Sequence, residues 1–145
     1  MNIFNALHIS SSGLTAQRIR MNLIARNLAN VNTTRTPQGG PYKRQEAVFA
    51  ASPESRSFKN MLDTENTGSR TGVEVVDIIN DSRPFPIKYD PGHPDADEKG
   101  YVKLPNVNLI EEMVNMVSAT RSYEANVTAV NASRKMALQA LDIGR

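Results

Sequence analysis

The residues best suited to chemistry in this sequence lie at positions 90–98, in the run Asp-Pro-Gly-His-Pro-Asp-Ala-Asp-Glu. The run combines an imidazole at His93 with several carboxylates, including those of Asp95 and Asp97. Ligands of these types bind divalent cations, which can activate a water molecule for hydrolysis. A metal-dependent enzyme centred on His93, Asp95 and Asp97 is therefore one hypothesis for this chain.

The prolines in the same run favour a different interpretation. A loop that binds a hard cation needs ligands at regular alternation and a backbone that wraps around the ion. Pro91 and Pro94 instead stiffen the backbone of this segment. Asp-Pro-Gly is also a strong turn-forming sequence. We therefore interpret the run as a structural turn made by Asp90, Pro91, Gly92, His93, Pro94, Asp95 and Asp97.

No other set of residues has the spacing of a catalytic or cofactor site. Cysteine is absent, which excludes thiol chemistry and cysteine-based zinc sites. Neither histidine lies in an H-E-x-x-H arrangement, and no G-x-S-x-G elbow surrounds the serines at positions 10–12. Gly39 and Gly40 precede a proline, not the lysine of a phosphate-binding loop. The sequence therefore predicts a protein that is not an enzyme and binds no cofactor, metal ion or small-molecule substrate.

The charge of the chain is nearly balanced, at a formal +2, but it is unevenly distributed. No acidic residue precedes Glu46, so the N-terminal third is mildly basic. On a helix with about 100° per residue, Arg18, Arg20 and Arg26 point in well-separated directions, and no aromatic residues alternate with them. This spacing does not predict a nucleic-acid interface.

The first residues lack the pattern of a secretory signal. A cationic stretch followed by an unbroken apolar run is missing, and the serines at positions 10–12 interrupt the segment. The chain also lacks the roughly 18 continuous apolar residues that a membrane-spanning helix requires. We therefore expect neither a cleaved signal peptide nor a membrane span.

Proline divides the chain into three parts. All eight prolines lie between Pro37 and Pro105. Because proline disrupts helix interiors, helices are expected on either side of this section. The sequence predicts an α+β fold in which long N- and C-terminal helices form an antiparallel coiled-coil-like domain with a small β-rich or irregular insert between them. The expected boundaries are 1–34 for the N-terminal helix, 35–106 for the insert and 107–145 for the C-terminal helix.

The N-terminal helix is predicted to be weak. Leucine or methionine recurs every seven residues from position 7 to 28, but the complementary row contains the polar residues Ser10 and Gln17. Gly13 and three asparagines each cost such a helix a few tenths to about 1 kcal/mol relative to alanine. We expect this helix to need a partner, and to be largely unfolded in the free monomer until assembly orders it.

The C-terminal helix has stronger signals. Asn108 can cap its N-terminus, with Glu111 three residues later as in a capping box. Over positions 109–141, apolar residues recur at alternating steps of four and three, and only Thr120 and Arg134 are polar in that row. A helix of this length extends over roughly 50 Å at 1.5 Å per residue. The N-terminal helix is too short to cover it completely.

The insert is predicted to consist of short strands among turns. Residues 42–49, 73–79 and 85–89 have the alternation or composition of strands. The section between the first two is polar and rich in turn-forming residues, which predicts a mobile loop near residues 50–72.

The length of the C-terminal helix raises the question of what covers its apolar residues. Two amphipathic helices of a small protein commonly pack only on each other, and periodicity alone does not decide between that arrangement and an assembly. The difference in length favours an assembly, because apolar surface would remain for other subunits. The predicted subunit-packing residues are Leu7, Leu14, Met21, Ile24, Leu28, Met113, Met116, Tyr123, Val127, Val130 and Leu141.

Several segments resemble a known family. Ser-Gly-Leu-Thr-Ala-Gln-Arg at 12–18 and Asn-Leu-Ala-Asn-Val-Asn-Thr at 27–33 resemble the N-terminal signature of flagellar rod and hook proteins. The run from Tyr89 to Asp97, with Gly-Tyr-Val at 100–102 and Pro-Asn-Val-Asn at 105–108, is similar to the hallmark of the FlgC family within that superfamily. Glu-Met-Val at 112–114 and Arg-Ser-Tyr-Glu-Ala-Asn at 121–126 are similar to the C-terminal helix of the same family.

The resemblance implies a structural subunit of the proximal rod, located in the periplasmic part of the flagellar basal body. It implies export through the flagellar type III apparatus without signal cleavage, followed by polymerisation just beyond the MS ring, where the rod carries torque toward the hook. The implied partners are other copies of the chain, other rod proteins, components near the MS ring and export gate, and the export apparatus. Another rod or hook component is the alternative. The turn at 90–97 would be a rigid corner that aims the C-terminal helix along the rod.

Overall fold

The computed structural model describes residues 3–53 and 71–143. The predicted α+β fold with two long terminal helices is confirmed. The predicted mobile loop near residues 50–72 falls mainly on positions 54–70, which lie outside the described residues. No described helix is both long and apolar enough to cross a membrane. The elements, in chain order, are α1 (Ile3–Ala29), β1 (Gln45–Pro53), β2 (Thr71–Asn80), β3 (Ile87–Tyr89), β4 (Tyr101–Lys103) and α2 (Leu109–Ile143).

The two helices lie antiparallel. Asn27, near the end of α1, donates a hydrogen bond to Glu112 in the first turn of α2 at 2.9 Å. Further along, the side chain of Asn126 lies against Gly13. In this register Ile3 lies opposite about residue 136, ten residues beyond Asn126. The end of α2 therefore extends past the beginning of α1.

Small residues bring the helices close together. A Cβ atom added to Gly13 would lie only 3.1 Å from Asn126 Nδ2. Ala16 on α1 and Ala119 on α2 are both buried, as is Ser133. Since closely packed interiors leave little free space, larger side chains at these positions would force the helices apart.

The N-terminus of α2 is capped by Asn108, as the sequence predicts. Asn108 Oδ1 accepts hydrogen bonds from the backbone N–H groups of Ile110, at 3.0 Å, and Glu111, at 3.4 Å. A capping box would direct the Glu111 carboxylate back toward Asn108. That carboxylate instead accepts a hydrogen bond from Arg83 Nη1 at 3.2 Å, which ties the first turn of α2 to the insert.

Strands β1 and β2 form an antiparallel hairpin that packs against α1. Their register shifts between Val48 and Phe49, the sign of a β-bulge. A Cβ atom added to Gly72 would lie 2.9 Å from Ser12 Oγ on α1, so the strand and the helix approach closely here. The same Ser12 Oγ accepts a hydrogen bond from the backbone N–H of Val73 at 3.0 Å. The helix thus satisfies one backbone donor at the edge of the hairpin.

Strands β3 and β4 form a second, shorter antiparallel pair. The predicted strands at 42–49, 73–79 and 85–89 correspond to β1, β2 and β3, with boundaries displaced by a few residues. Strand β4 was not predicted, because a strand of three residues is too short to show alternation.

Candidate assembly surfaces

A buried group of polar residues joins the helices to the insert. We call it the polar junction, and its five members come from separate parts of the chain. The Glu112 side chain is fully buried, and Arg44 is also buried. Buried charges are tolerated only when they are paired and hydrogen-bonded. The members of the polar junction are Asn27, Arg44, Asp81, Asn106 and Glu112.

The carboxylate of Glu112 is the centre of the polar junction. It accepts hydrogen bonds from Arg44 Nε at 2.8 Å and from Asn27 Nδ2 at 2.9 Å. Asn27 Oδ1 in turn accepts from the backbone N–H of Gln45 and from the Tyr42 hydroxyl, both at 3.0 Å. One carboxylate therefore links α1, α2 and the beginning of β1.

Asn106 connects the segment before α2 to the hairpin and to the chain that follows it. Its Oδ1 accepts a hydrogen bond from the backbone N–H of Arg44 at 2.8 Å. Its Nδ2 donates to the backbone carbonyls of Asp81 at 3.2 Å and Arg83 at 3.1 Å. The polar junction thus fixes the insert relative to both helices.

Hydrogen bonds stabilise the ionised forms of two members of the polar junction. Burial alone would lower the pKa of the Arg44 guanidinium, but hydrogen bonds to Glu112 and Glu46 outweigh burial and raise it above its ordinary value. The backbone N–H of Arg83, 2.9 Å from Asp81 Oδ1, holds the pKa of Asp81 below its ordinary value. Burial opposes that effect, and the Arg83 side chain at 2.7 Å reinforces it.

Sequence reasoning missed the polar junction because its members are scattered singly along the chain. One signal was present. Glu112, Ala119, Asn126 and Ser133 recur every seven residues, which marks a helical row made of small or polar side chains. The larger apolar residues form a second row beside it, and the predicted packing residues of α2 came from that row.

The predicted packing residues lie in different environments in the single chain. In α1, Ile24 is buried and the other four are half-buried. In α2, Met113 and Leu141 are exposed, whereas the remaining four are half-buried: Met116, Tyr123, Val127 and Val130.

The buried row of α2 differs from the row that the periodicity suggested. The buried residues are Glu112, Ala119 and Ser133. The predicted row lies one residue further along the helix, at Met113, Thr120 and Arg134, and these three residues are exposed. The physical reason is that the helices approach through small side chains, so the larger ones point away from the contact. Whether the predicted residues contact other subunits stays a prediction.

An apolar stripe, which we call the outer face of α2, remains exposed on the side opposite Glu112. Its residues are between 53% and 73% exposed. At 100° per residue they lie within one arc of about 100°. Together with Arg121 and two serines, three of them line a groove of about 490 Å³. A contiguous exposed apolar patch of this kind marks an interaction surface. The stripe comprises Ile110, Met113, Val114 and Val117.

The residues of the predicted turn bond to one another and to the chain around them. His93 Nδ1 accepts a hydrogen bond from the backbone N–H of Asp95 at 3.0 Å. Asp95 Oδ2 accepts from the Thr34 hydroxyl at 2.7 Å. Asp97 Oδ1 accepts from two backbone N–H groups that follow it, at 3.0 and 2.9 Å. The side chains of His93 and Asp97 therefore bond to the backbone and that of Asp95 bonds to a hydroxyl. No metal-binding group of three or more His, Cys, Asp or Glu residues is found within 3–53 and 71–143.

The segment after the turn is held by close packing. Gly100 has a φ of +78°, a conformation that favours glycine. A Cβ atom there would lie 3.0 Å from the Tyr89 ring and 3.2 Å from Pro91 Cβ. The rings of Tyr89 and Tyr101 meet edge to face, with centroids 5.3 Å apart. The turn and the β3–β4 pair thus form one packed unit.

The two terminal regions match families of flagellar proteins. Residues 7–35 match the family described as "Flagella basal body rod protein". Residues 98–143 match the family described as "Flagellar basal body rod FlgEFG protein C-terminal". The matched ranges contain most of α1, all of α2 and the contact between Asn27 and Glu112.

Similarity to individual proteins extends over the whole chain. A protein of Borreliella burgdorferi named flagellar basal-body rod protein FlgC is 49% identical, with 99% of this chain and 98% of the relative covered. A protein of the same name from Bacillus subtilis is 45% identical, with both chains fully covered. One from Escherichia coli O157:H7 is 42% identical, again over the full length of both.

This chain belongs to the FlgC family of flagellar basal-body rod proteins. The resemblance noted at both ends of the sequence and in the 89–108 segment is thereby confirmed. Within this FlgC-family fold, the outer face of α2 lies entirely inside the range that matches the rod-protein C-terminal family.

Proposed function

We propose that this chain is a non-catalytic structural subunit of the flagellar proximal rod, which polymerises through its terminal helices. The observation that carries the proposal is the outer face of α2: a FlgC-family chain leaves four large apolar side chains exposed in one stripe on its longest helix. Burial of each such side chain contributes about 1.5–3 kcal/mol when it is complete. Neighbouring subunits would provide that burial.

The proposed assembly explains why the two faces of α2 differ. The inner face uses small side chains and the polar junction to hold α1 and the insert. The outer face is left with the large apolar residues, which are suited to contact a different surface on the next subunit. Such heterologous contacts generate a helical polymer when they do not close into a ring.

The polar junction has a mechanical role in this proposal. Torque from the MS ring toward the hook loads the contacts between subunits in shear. A load that reaches the insert passes to the helices through the hydrogen bonds of Arg44, Asn106 and Glu112. The closed pairing of these groups resists reorientation, because breaking one partner would leave a buried charge without compensation.

The remaining parts of the proposal follow from the family. The chain would be exported by the flagellar type III apparatus without loss of a signal peptide, and would assemble in the periplasm just beyond the MS ring. Its partners would be other copies of itself, other rod proteins, and components close to the MS ring and the export gate.

The decisive experiment places charges on the outer face of α2. The variant Val114→Glu/Val117→Glu is expressed in cells that lack the native gene, with Asn131→Glu as a control at an exposed polar position of the same helix. We expect the double variant to be exported but absent from purified basal bodies, and the cells to be non-motile. The control variant should assemble normally. Normal assembly and motility of the double variant would contradict the proposal.

A further inference from the structure

Two rows of residues with the same seven-residue repeat lie where α1 and α2 face each other. The hydrogen bond from Asn27 to Glu112 and the contact of Gly13 with Asn126 belong to one antiparallel register, because the two pairs are fourteen residues apart on both helices. Positions spaced by seven residues from these pairs lie on the same sides of the helices. The row on α1 comprises Ala6, Gly13, Arg20 and Asn27, and the row on α2 comprises Glu112, Ala119, Asn126 and Ser133.

The shared repeat gives α1 a second register on α2. A shift of α1 by seven residues, about 10.5 Å, would place Arg20 opposite Glu112 and Gly13 opposite Ala119. We call this arrangement the slipped register. A shift in the other direction would carry Glu112 past the end of α1 at Ala29. The larger apolar residues of α1 also recur every seven residues, so the slip returns them to equivalent positions, and apolar packing does not distinguish the two registers.

The slipped register offers Glu112 a charged partner. Arg20 is half-buried on α1. After the slip its guanidinium would lie beside the carboxylate of Glu112, and hydrogen bonds between two ionised groups are stronger than those between neutral ones. The charge of Glu112 alone therefore does not select the register of the structure.

Asn27 forms bonds at this site that Arg20 cannot form. Its Nδ2 donates to Glu112 Oε2 and to the backbone carbonyl of Gln45, each at 2.9 Å. Its Oδ1 accepts from the backbone N–H of Gln45 and from the Tyr42 hydroxyl, each at 3.0 Å. The amide thus uses both of its donors and both of its acceptor sites, and the residue is fully buried. It joins α1 to α2 and to the beginning of β1 at one point.

The slipped register would leave two donors without acceptors. Arginine carries donors only, so Arg20 at this site could not accept from the Gln45 N–H group or from the Tyr42 hydroxyl. Asn27 would lie beyond the start of α2 at Leu109. A donor that is held away from water without an acceptor costs free energy. The hydrogen bonds of Asn27 therefore favour the register of the structure.

We propose that Asn27 determines the register of α1 on α2, because its amide both donates to Glu112 and accepts from the segment that begins β1. The register sets how far α2 extends past α1. Ile3 lies opposite about residue 136 in the structure and would lie opposite about residue 129 after the slip. This inference goes beyond the proposed function, since it concerns the single chain and its test needs no assembled rod.

Two cysteine pairs report the two registers in a chain that contains no cysteine of its own. Ala6→Cys with Ser133→Cys forms an intrachain disulfide in the register of the structure, and Ala6→Cys with Asn126→Cys forms one in the slipped register. An offset of seven residues, about 10.5 Å along the helix, exceeds the roughly 7 Å between Cα atoms that a disulfide tolerates. Each pair therefore reports one register.

The measurement is the equilibrium constant for disulfide formation of each pair in the purified full-length chain. The chain is kept in a glutathione redox buffer with trimethylamine N-oxide, which favours the folded state and so orders a weak α1. Mass spectrometry gives the oxidised fraction, and circular dichroism gives the helix content. The ratio of the two equilibrium constants is the preference for the register of the structure.

We expect this preference to be about tenfold or more in the chain that carries only the cysteine pairs, and Asn27→Ala to reduce it by about tenfold, since its hydrogen bonds no longer oppose the slip. Adding Arg20→Ala to Asn27→Ala should restore most of the preference, because the slipped register then lacks its partner for Glu112. Asn22→Ala removes an exposed asparagine from the same helix. It is the matched control and should leave the preference unchanged.

Three results would overturn the inference. The first is the absence of a preference in the chain that carries only the cysteine pairs. The second is an Asn27→Ala preference within about twofold of that chain. The third is a lost preference that Arg20→Ala does not restore, with or without loss of helix content, which would mean that Asn27 stabilises the fold without selecting the register.

Discussion

Glu112 shows how a single buried side chain can organise a small protein. It occupies a position on α2 where a helix-packing pattern would normally place an apolar residue, and it faces α1 and the insert. Its carboxylate contacts Arg44 and Asn27, two residues that are far from it in sequence. Periodicity locates a buried row but does not reveal partners so distant, so this contact could be found only in the folded structure.

Loss of the Glu112 carboxylate should destabilise the chain severely. In Glu112→Ala, the buried Arg44 guanidinium keeps only the exposed Glu46 carboxylate at 2.9 Å and the Asp81 carboxylate at 3.5 Å. Loss of its fully buried partner should cost close to the roughly 3–5 kcal/mol of breaking a buried ion pair. The free energy of unfolding, measured with urea and circular dichroism, would show this loss. Glu111→Ala is a matched control, since its exposed ion pair with Arg83 contributes at most about 1 kcal/mol. Similar losses in the two variants would contradict the structural role of Glu112.

Asp81 makes the stability of the chain depend on pH in the acid range. Its folded-state pKa lies below the ordinary value of 3.8. The unfolded chain therefore takes up the proton first, and the stabilisation from Asp81 is complete above about pH 4 and lost as the pH falls through the folded-state pKa. Over that pH window, we expect the free energy of unfolding of Asp81→Asn to fall less steeply with acidification than that of the unchanged protein. Asp142→Asn controls for the loss of one negative charge, and an unchanged slope in Asp81→Asn would refute the prediction.

At the scale of elements, regular patterns were predictable and tertiary contacts were not. The proline distribution and the Asn108 cap locate α2 closely, because helix ends have local signals. The packed face of α2 was displaced by one residue from the predicted row. The cause is the close approach at Gly13 and Asn126, which favours small side chains in the contact. Strand β4 is formed by its pairing with β3. The sequence of a three-residue segment does not reveal such a pairing.

The composition of α1 predicts a helix that is unstable without partner subunits. In the structure α1 is helical from Ile3 to Ala29, and Gln17 Oε1 is buried without a hydrogen-bond partner among the described residues. Such an unmet acceptor adds to the cost of its glycine and asparagines. We expect backbone NMR of the free monomer to show little protected helix over residues 5–30, with ordering upon assembly. A rigid, protected helix in the monomer would show that α1 needs no partner subunit.

At the scale of the whole molecule, the turn connects the insert to α2. The hydrogen bonds of His93, Asp95 and Asp97 close the turn, and Asn106 then joins the following segment to the residues at either end of the hairpin, Arg44 and Asp81. The sequence could predict a turn here from Asp-Pro-Gly. It could not predict that the bond to Thr34 fixes the turn beside the end of α1, because the two residues are 61 positions apart.

Replacement of the turn residues should separate assembly from export. Pro91→Ala/Gly92→Ala removes the fixed φ of the proline, so position 91 gains alternative conformations. It also removes the Pro-Gly pair that favours a turn after Asp90. The proposed export passes the chain in an unfolded state and should be unchanged, whereas a corner that no longer aims α2 should reduce incorporation into the rod. Secreted protein and basal-body content, measured in the same cells, distinguish the two steps. Pro105→Ala serves as a control for the loss of a proline outside the turn. Unchanged motility of the double variant would show that the turn does not orient α2.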